Sequence, residues 1–223
     1  MRFLGLSLGD KVPDAKTIWL FREHLTKNNL AEKLFDLFKE ELHKKNLIAG
    51  EGKIIDASFV EIPIQRNSRE ENKQIKEGKT PDDWKENPNK LEQKDVDARW
   101  TKKNGKSYYG YKDHVKADAN SKLIDTYTVT NASVHDSQET EPLLTEEDTG
   151  QSLYADSAYS GEPIKEIVEQ HEMNNYIHEK GYRNSPLTEE QKENNKVKSK
   201  TRARVEHIFG FIENSMNGSF IRT

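Results

Sequence analysis

The amino-acid sequence predicts an α/β fold, a mixed sheet flanked by helices that follows a short helical segment. Residues 1–49 carry apolar side chains at helical spacing, whereas residues 53–62 and 106–133 are rich in the β-branched and aromatic residues typical of strands. Within residues 50–223, strand-like segments come first and helix-like segments later, as in mixed α/β domains. We therefore expect a helical segment at 1–49 and one α/β domain at 50–223.

The composition excludes several classes of protein. The 223 residues include 35 Lys and Arg against 39 Asp and Glu, a formal net charge of −4, so nucleic-acid binding would depend on local basic patches. The absence of cysteine excludes a disulfide framework and a cysteine-ligated zinc site, and it fits a reducing cytoplasm. No apolar run approaches the roughly 20 residues of a membrane span, and the apolar start is too short for a signal peptide.

Two helices are expected in the N-terminal segment. Asp14 can cap the first helix, and Leu30, Leu34, Leu37 and Leu42 keep a helical spacing in the second. This pair either packs on the following domain or takes part in DNA binding.

A polar insert at about residues 65–106 interrupts the strand-like segments. From Leu, Ile, Val and Phe it contains only Ile75, Leu91 and Val96. A loop of this length is more often functional or disordered than a plain connector, so the insert is either a solvated loop or a functional segment.

The rest of the domain contains further strands and then helices. Strand-like segments lie at 106–118, 122–133, 152–159 and 174–179, and a helix follows Pro163. Thr188 and Gln191 form a capping box, which predicts one long terminal helix. That helix carries an apolar stripe made of Val205, Ile208, Phe209 and Ile212.

Two aspartates lie within or directly after apolar strand-like segments, where a carboxylate is unfavourable unless it has a binding partner. Asp56 sits within the β-branched run Ile54–Val60. Because Asp is depleted in strands and an unpaired buried carboxylate is costly, Asp56 needs a metal, a cation or a hydrogen-bond donor, unless its face is exposed. Asp156 follows the apolar run Leu153–Ala155, and the carboxyl end of a strand is where open α/β sheets bind ligands. The alternative for Asp156 is a turn-forming residue that caps the next helix.

A third acid, Glu206, lies on the flank of the apolar stripe of the terminal helix. Arg202 lies four residues earlier on the same side, so Glu206 alone is best explained as half of a surface ion pair. Together with the two aspartates, it completes a set of three carboxylates. Mg²⁺ prefers such oxygen ligands, and two ions about 3.5–4 Å apart stabilise the attacking and leaving oxygens of phosphoryl transfer.

Two basic patches are candidates for phosphate binding. The first patch contains Arg99, Lys102, Lys103, Lys106, Lys112 and Lys116, interleaved with Trp100, Tyr108, Tyr109 and Tyr111. The second contains Lys192, Lys196, Lys198, Lys200, Arg202 and Arg204. Cations neutralise phosphates and aromatic rings stack on bases, although each patch is equally compatible with a solvated face.

A hydrolase triad is a weaker hypothesis. Ser133, His135 and Asp136 have the required residue types, but neighbours in sequence rarely converge in that way. His135 and Asp136 stay candidates for a supporting position beside the three carboxylates.

Four ordered motifs resemble those of the DDE transposases of bacterial insertion sequences, in the IS-four/IS-five group. They are IIDASFV, YYGYKDHVKAD, LYADSAYSG and KTRARVEHIFG, and the resemblance covers nearly the whole chain. It implies a ribonuclease H-like fold and a polynucleotidyl transferase that cleaves DNA strands and transfers them during transposition. Residue by residue, it implies that Asp56, Asp156 and Glu206 are the catalytic residues and the metal ligands.

The resemblance also implies cofactors and partners. These are two Mg²⁺ ions, for which Mn²⁺ can substitute, double-stranded DNA as element ends and target, and a second copy of the chain on that DNA. The implied location is the bacterial cytoplasm, at the nucleoid. The family glutamate belongs to a Tyr-x2-Arg-x3-Glu-x6-Lys signature, in which Ser199 and Glu213 here replace the tyrosine and the lysine. Those departures affect the DNA-end contacts of the signature and leave the metal ligands in place.

Two alternatives remain beside an active transposase. Family members usually extend further at both ends, so we expect this chain to be truncated. It could therefore be an inactive DNA-binding fragment of a decayed transposase. The other alternative is a hydrolytic nuclease on the same fold, which would cut DNA without joining it.

Overall fold

The computed structural model describes Gly5, Ser7 and residues 9–221, so part of the predicted helical segment, at residues 1–4, 6 and 8, lies outside the described residues. The chain divides into two compact units, with the boundary between Leu47 and Ile48. The first unit contains two helices, and the second contains the sheet.

The two helices predicted in the first unit are present, and the first begins at its predicted cap. α1 spans Ala15–Lys27, and the Thr17 N–H donates to Asp14 Oδ1 at 2.7 Å, so Asp14 is the N-cap. α2 spans Leu30–Lys44. Neither helix has a buried residue, and aromatic side chains such as Trp19 are more than half exposed. The apolar spacing therefore forms helices without forming a core among the described residues.

Six strands form the sheet of the second unit. They are β1 (Gly52–Glu61), β2 (Arg99–Lys103), β3 (Lys106–Asp118), β4 (Ile124–Asn131), β5 (Ser152–Tyr154) and β6 (Asn174–Asn175). β3 pairs antiparallel with β1, β2 and β4, whereas β5 pairs parallel with both β1 and β6. The predicted mixed α/β fold is confirmed, although the predicted strands at 152–159 and 174–179 are reduced to three and two residues.

Helices cover both faces of this sheet. Because successive side chains of a strand point to opposite faces, the neighbours Ile54 and Ile55 of β1 enter different cores. Ile55 belongs to a cluster with Val168, and Ile54 belongs to a cluster with Val205. Among the described residues, no helix is both long and apolar enough to cross a lipid bilayer. The covering helices are α6 (Thr140–Leu143), α7 (Glu162–Gln170) and α9 (Arg204–Ser215).

The terminal helix differs from the prediction of one long helix. The capping box of Thr188 and Gln191 is present, but the helix it starts, α8 (Glu189–Arg202), ends before Ala203, and α9 begins beyond it. α8 has no buried residue, whereas Val205 in α9 is fully buried. The chain turns at Ala203 because only the second half carries an apolar stripe that can dock on the sheet.

The insert is folded and is not a structureless loop. It contains three short helices, α3 (Arg69–Lys76), α4 (Asp82–Lys85) and α5 (Pro88–Glu92), before β2 begins at Arg99. A capping box starts α3, since Ser68 Oγ accepts from the Glu71 N–H and Glu71 Oε2 accepts from the Ser68 N–H. Trp84 is fully buried and gives this polar segment an apolar anchor.

One carboxylate holds the insert helices together. Glu71 Oε1 accepts from Trp84 Nε1 at 2.6 Å and from Lys90 Nζ at 2.8 Å. The hydrogen bonds from Lys90, the Ser68 N–H and Trp84 lower the pKa of Glu71 to about 2. Charged partners make such bonds stronger than neutral ones, which explains how a segment poor in apolar residues stays ordered.

Glu71→Gln is expected to destabilise the insert by about 1.5–3 kcal/mol at neutral pH, because it removes charge-assisted hydrogen bonds. The pKa of Glu71 is 4.5 unfolded and about 2 folded, so its contribution is complete above the first value and is lost as pH falls toward the second. Limited proteolysis of the insert as a function of pH measures this effect. Equal pH dependence in wild type and Glu71→Gln would contradict the assignment.

Candidate active site

The sheet places Asp56 and Asp156 level with each other. β1 and β5 run parallel, with Ile54 opposite Tyr154. Each aspartate lies two residues beyond that pair, and side chains two residues apart point to the same face. Asp56 therefore lies in the middle of β1, whereas Asp156 lies two residues beyond the carboxyl end of β5. The two carboxylates are close enough that the charge of Asp156 acts on the pKa of Asp56.

Asp156 also caps a turn, as its alternative interpretation predicts. It precedes a single 3₁₀ turn at Ser157–Tyr159, and its Oδ1 accepts from the Ala158 N–H at 2.7 Å. This bond fixes the orientation of the carboxylate. The two interpretations are compatible, because a capping carboxylate keeps lone pairs for a further ligand.

Asp56 lies in a strongly desolvated position. Its side chain is only 16% exposed, so the alternative of a solvent-exposed strand face does not apply. Burial raises the pKa of Asp56 to about 6, and the negative charge of Asp156 acts in the same direction. The Ala57 N–H, which donates to Asp56 Oδ1 at 2.9 Å, and the charge of Arg202 offset part of this rise.

Arg202 connects Asp56 with Glu206. Its Nη1 donates to Asp56 Oδ2 at 2.8 Å, and its Nη2 donates to Glu206 Oε1 at 3.1 Å. The predicted ion pair between Arg202 and Glu206 is thus present, and the Glu206 side chain is 67% exposed. The same guanidinium also bonds to the largely buried Asp56, so Glu206 is linked to the site through an arginine.

The three predicted carboxylates do not form a ready ligand set. Within residues 9–221 and the two described residues before them, no three His, Cys, Asp or Glu side chains lie close enough to hold one metal ion. The structure brings Asp56 and Asp156 together and attaches Glu206 to the arginine that Asp56 binds.

Two residues beside the aspartates were not anticipated from the sequence. Tyr159 is 1% exposed, and its hydroxyl is buried without a hydrogen-bond partner among the described residues. Burial, and then the charges of Asp56, Asp136 and Asp156, raise the pKa of Tyr159 well above its usual value. His178 has its pKa lowered by burial and then by Arg202. The one available signal was the position of Tyr159, one turn beyond Asp156.

Ser133, His135 and Asp136, the residues of the predicted triad and supporting pair, each bond to other residues and not to one another. Asp136 is buried and accepts from Lys112 Nζ at 2.7 Å, whereas His135 is exposed and its Nδ1 lies 2.8 Å from Ser137 Oγ. Ser133 Oγ donates to Asn131 Oδ1 instead of approaching His135. Ser133, His135 and Asp136 therefore do not form a hydrolase triad. The negative charge of Asp136 is one of those that raise the pKa of Tyr159.

The first basic patch is only partly on the surface. Lys112 is buried, where it donates to the Val134 carbonyl at 2.6 Å as well as to Asp136, and Lys116 is fully buried. Arg99 donates to backbone carbonyls, including that of Ile75 at 2.8 Å. The exposed members are Lys102, Lys103 and Lys106.

The second patch shows the same division. Lys198 donates to the Ile177 carbonyl at 3.0 Å, and Arg204 donates to the Ala119 carbonyl at 2.6 Å. Lys192 and Lys196 pair with glutamates on their own helix, and Lys200 is exposed. Sequence alone could not separate lysines that hold the fold from lysines that face solvent.

The two residues that depart from the family signature contact the protein itself. Ser199 Oγ donates to the Asn195 carbonyl at 2.8 Å and lies 3.3 Å from His178 Nε2. Glu213 Oε1 accepts from Ser58 Oγ at 3.3 Å. Ser58 is two residues from Asp56 on β1, so Glu213 adds negative charge to the sheet face that carries the site.

Comparison with known proteins identifies the family. The transposase DDE domain family matches residues 49–222. A curated relative, the transposase for insertion sequence element IS1106 of Neisseria meningitidis serogroup B, is 31% identical over 198 residues. The match covers 86% of this chain and 65% of that relative, so the chain spans about two-thirds of the relative's length. No solved structure matches the chain. The family match covers most of the chain, and the chain therefore belongs to the transposase DDE domain family.

Proposed function

We propose that this chain is the catalytic domain of an insertion-sequence transposase, which cleaves DNA strands and joins them to target DNA with divalent metal ions. The observation that carries the proposal is the placement of Asp56 within β1 beside Asp156, which directly follows the neighbouring parallel strand β5. Open α/β sheets bind ligands at the carboxyl ends of their strands. Asp156 follows such an end, and Asp56 lies beside it on β1, so the two carboxylates would form a centre for a hard cation.

The residues present fit a divalent cation in their donor chemistry, which is carboxylate oxygen, although no three of these side chains converge among the described residues. Asp56 and Asp156 would hold Mg²⁺, or Mn²⁺ in its place, and Glu206 would add a third carboxylate. A cationic group, the Arg202 guanidinium, already lies between Asp56 and Glu206, which supports the affinity of this pair for positive charge. A pair of bound ions supplies activation of the attacking oxygen and stabilisation of the leaving oxygen of the phosphodiester.

Exposed lysines of the protein would position the DNA. Lys103 lies near the site, since its charge lowers the pKa of Asp56, and its side chain is 48% exposed. Lys102, Lys106 and Lys200 are exposed as well and can neutralise phosphates of the duplex. Two element ends must meet in transposition, so the proposal includes a second copy of the chain on the DNA. The proposed location is the bacterial cytoplasm, where that DNA lies.

Asp156→Asn is expected to abolish metal-dependent cleavage and joining, because it removes one of the two paired carboxylates while keeping a cap for the Ala158 N–H. The substrate is a supercoiled plasmid that carries the genomic flanks of the gene, incubated with Mn²⁺. Asp83→Asn, at an exposed position in α4, is the matched control and should keep wild-type activity. Unchanged cleavage by Asp156→Asn would refute the proposal.

The same assay separates the two alternatives. Nicked plasmid without any joined product would indicate a hydrolytic nuclease. Steeply salt-dependent DNA binding without any metal-dependent product would indicate a binding fragment that has lost its activity.

A further inference from the structure

The contact between Arg202 and the two acids joins parts of the chain that are distant in sequence. Asp56 and Arg202 are 146 residues apart, and both side chains are largely buried, at 16% and 20% exposed. Glu206 shares the same guanidinium on its exposed side. Short N–H···O distances between opposite charges make both contacts charge-assisted hydrogen bonds.

This contact engages the carboxylate that a metal would need. Asp56 Oδ1 accepts from the Ala57 N–H, and Asp56 Oδ2 accepts from Arg202 Nη1. Each oxygen of Asp56 therefore already accepts one hydrogen bond. A divalent cation bound at Asp56 would lie within a few ångström of a guanidinium of the same sign, and like charges at that distance repel strongly where water is scarce.

The guanidinium itself is not fully satisfied in this position. Its Nε is buried and has no hydrogen-bond partner among the described residues. A neighbouring arginine, Arg204, instead donates through its Nη1 to the Ala119 carbonyl and to Asn120 Oδ1. A buried donor without an acceptor costs free energy, so the Arg202 side chain loses less by moving than a fully bonded arginine would.

We infer that Arg202 is a positioning residue that holds the place of a divalent cation in the metal-free protein, and that cation binding at Asp56 displaces it. The inference rests on the proposed metal centre and adds that Arg202 and the cation compete for Asp56. Without a bound cation, the Arg202 guanidinium is the positive group that binds both Asp56 and Glu206. Metal binding then has to break the bond between Arg202 and Asp56.

Arg202→Gln tests this competition through metal binding, without any DNA. The Mn²⁺ affinity of the metal-free protein, measured by isothermal titration calorimetry, should rise about tenfold, the effect of removing one charge-assisted hydrogen bond between largely buried groups. The Mn²⁺-induced rise in melting temperature should also be larger than in wild type. Arg204→Gln is the matched control, and its Mn²⁺ affinity should equal that of wild type.

Arg202→Lys provides a second variant that keeps the positive charge if the glutamine variant does not fold. Lysine cannot form the fork that reaches two carboxylates at once, so its Mn²⁺ affinity should lie between those of wild type and Arg202→Gln. An equal or weaker Mn²⁺ affinity in both variants would overturn the inference and would indicate that Arg202 orients the ligands. Absence of Mn²⁺ binding in wild type would instead refute the metal centre itself, and the inference with it.

Discussion

Lys116→Met is expected to lower the free energy of unfolding by about 3–5 kcal/mol, because it breaks a buried ion cluster and leaves an excess of negative charge. Lys116 and Lys53 lie on the sheet and are at most 2% exposed, as are their partners Asp125 and Asp148. Lys116 Nζ lies 2.5 Å from Asp148 Oδ2 and 3.4 Å from Asp125 Oδ2, and Lys53 Nζ lies 2.9 Å from Asp125 Oδ2. The two positive and two negative groups balance in the wild-type protein.

Equilibrium unfolding in urea measures this effect. The transition midpoint should fall while its slope stays unchanged, which would show that the folded state alone is affected. Lys192→Met is the control, since Lys192 pairs with Glu189 on an exposed helix face, and such a pair contributes about 0–1 kcal/mol. Adding Asp148→Leu to Lys116→Met should recover part of the loss, because Lys53 and Asp125 then form a balanced pair. A loss of less than 1 kcal/mol in Lys116→Met would show that the cluster is not tightly coupled.

Asp56→Asn is expected to abolish Mn²⁺ binding and, at neutral pH, to stabilise the metal-free protein by about 1–3 kcal/mol. The pKa of Asp56 is 3.8 unfolded and about 6 folded, so the folded state binds the proton more tightly. Stability therefore falls as pH rises between those two values, and the full cost is present above the second. Asparagine carries no charge and removes the cost.

Asp113→Asn is the matched control for this experiment. Burial raises the pKa of Asp113 to about 6 as well, and Asp113 lies opposite Ser58 on the neighbouring strand β3. Both variants should reduce the decline of melting temperature between about pH 4 and pH 6. Only Asp56→Asn should lose Mn²⁺ binding. Wild-type Mn²⁺ affinity in Asp56→Asn, or an unchanged pH profile, would contradict the assignment of Asp56 as a desolvated metal ligand.

The candidate site was predicted from the sequence only in part. Asp56 and Asp156 are recognisable because a carboxylate is unfavourable inside or directly after an apolar strand, and that cost depends on local sequence. Glu206 lies where its helix places it, beside Arg202 at a spacing of four residues. The link from Arg202 to Asp56 could not be foreseen, because it depends on how the terminal helices dock on β1.

The sequence by itself determined the local elements of this protein. The caps at Asp14, Ser68 and Thr188 are bonds over three residues, and the strand segments follow from β-branched runs. Only the tertiary structure decided which lysines face solvent. Lys106, Lys112 and Lys116 belong to one basic run. Lys106 is exposed, whereas Lys112 is buried against Asp136 and Lys116 is buried against Asp148. Strand register and long-range packing set those contacts, and neither can be derived from the spacing of residues along one segment.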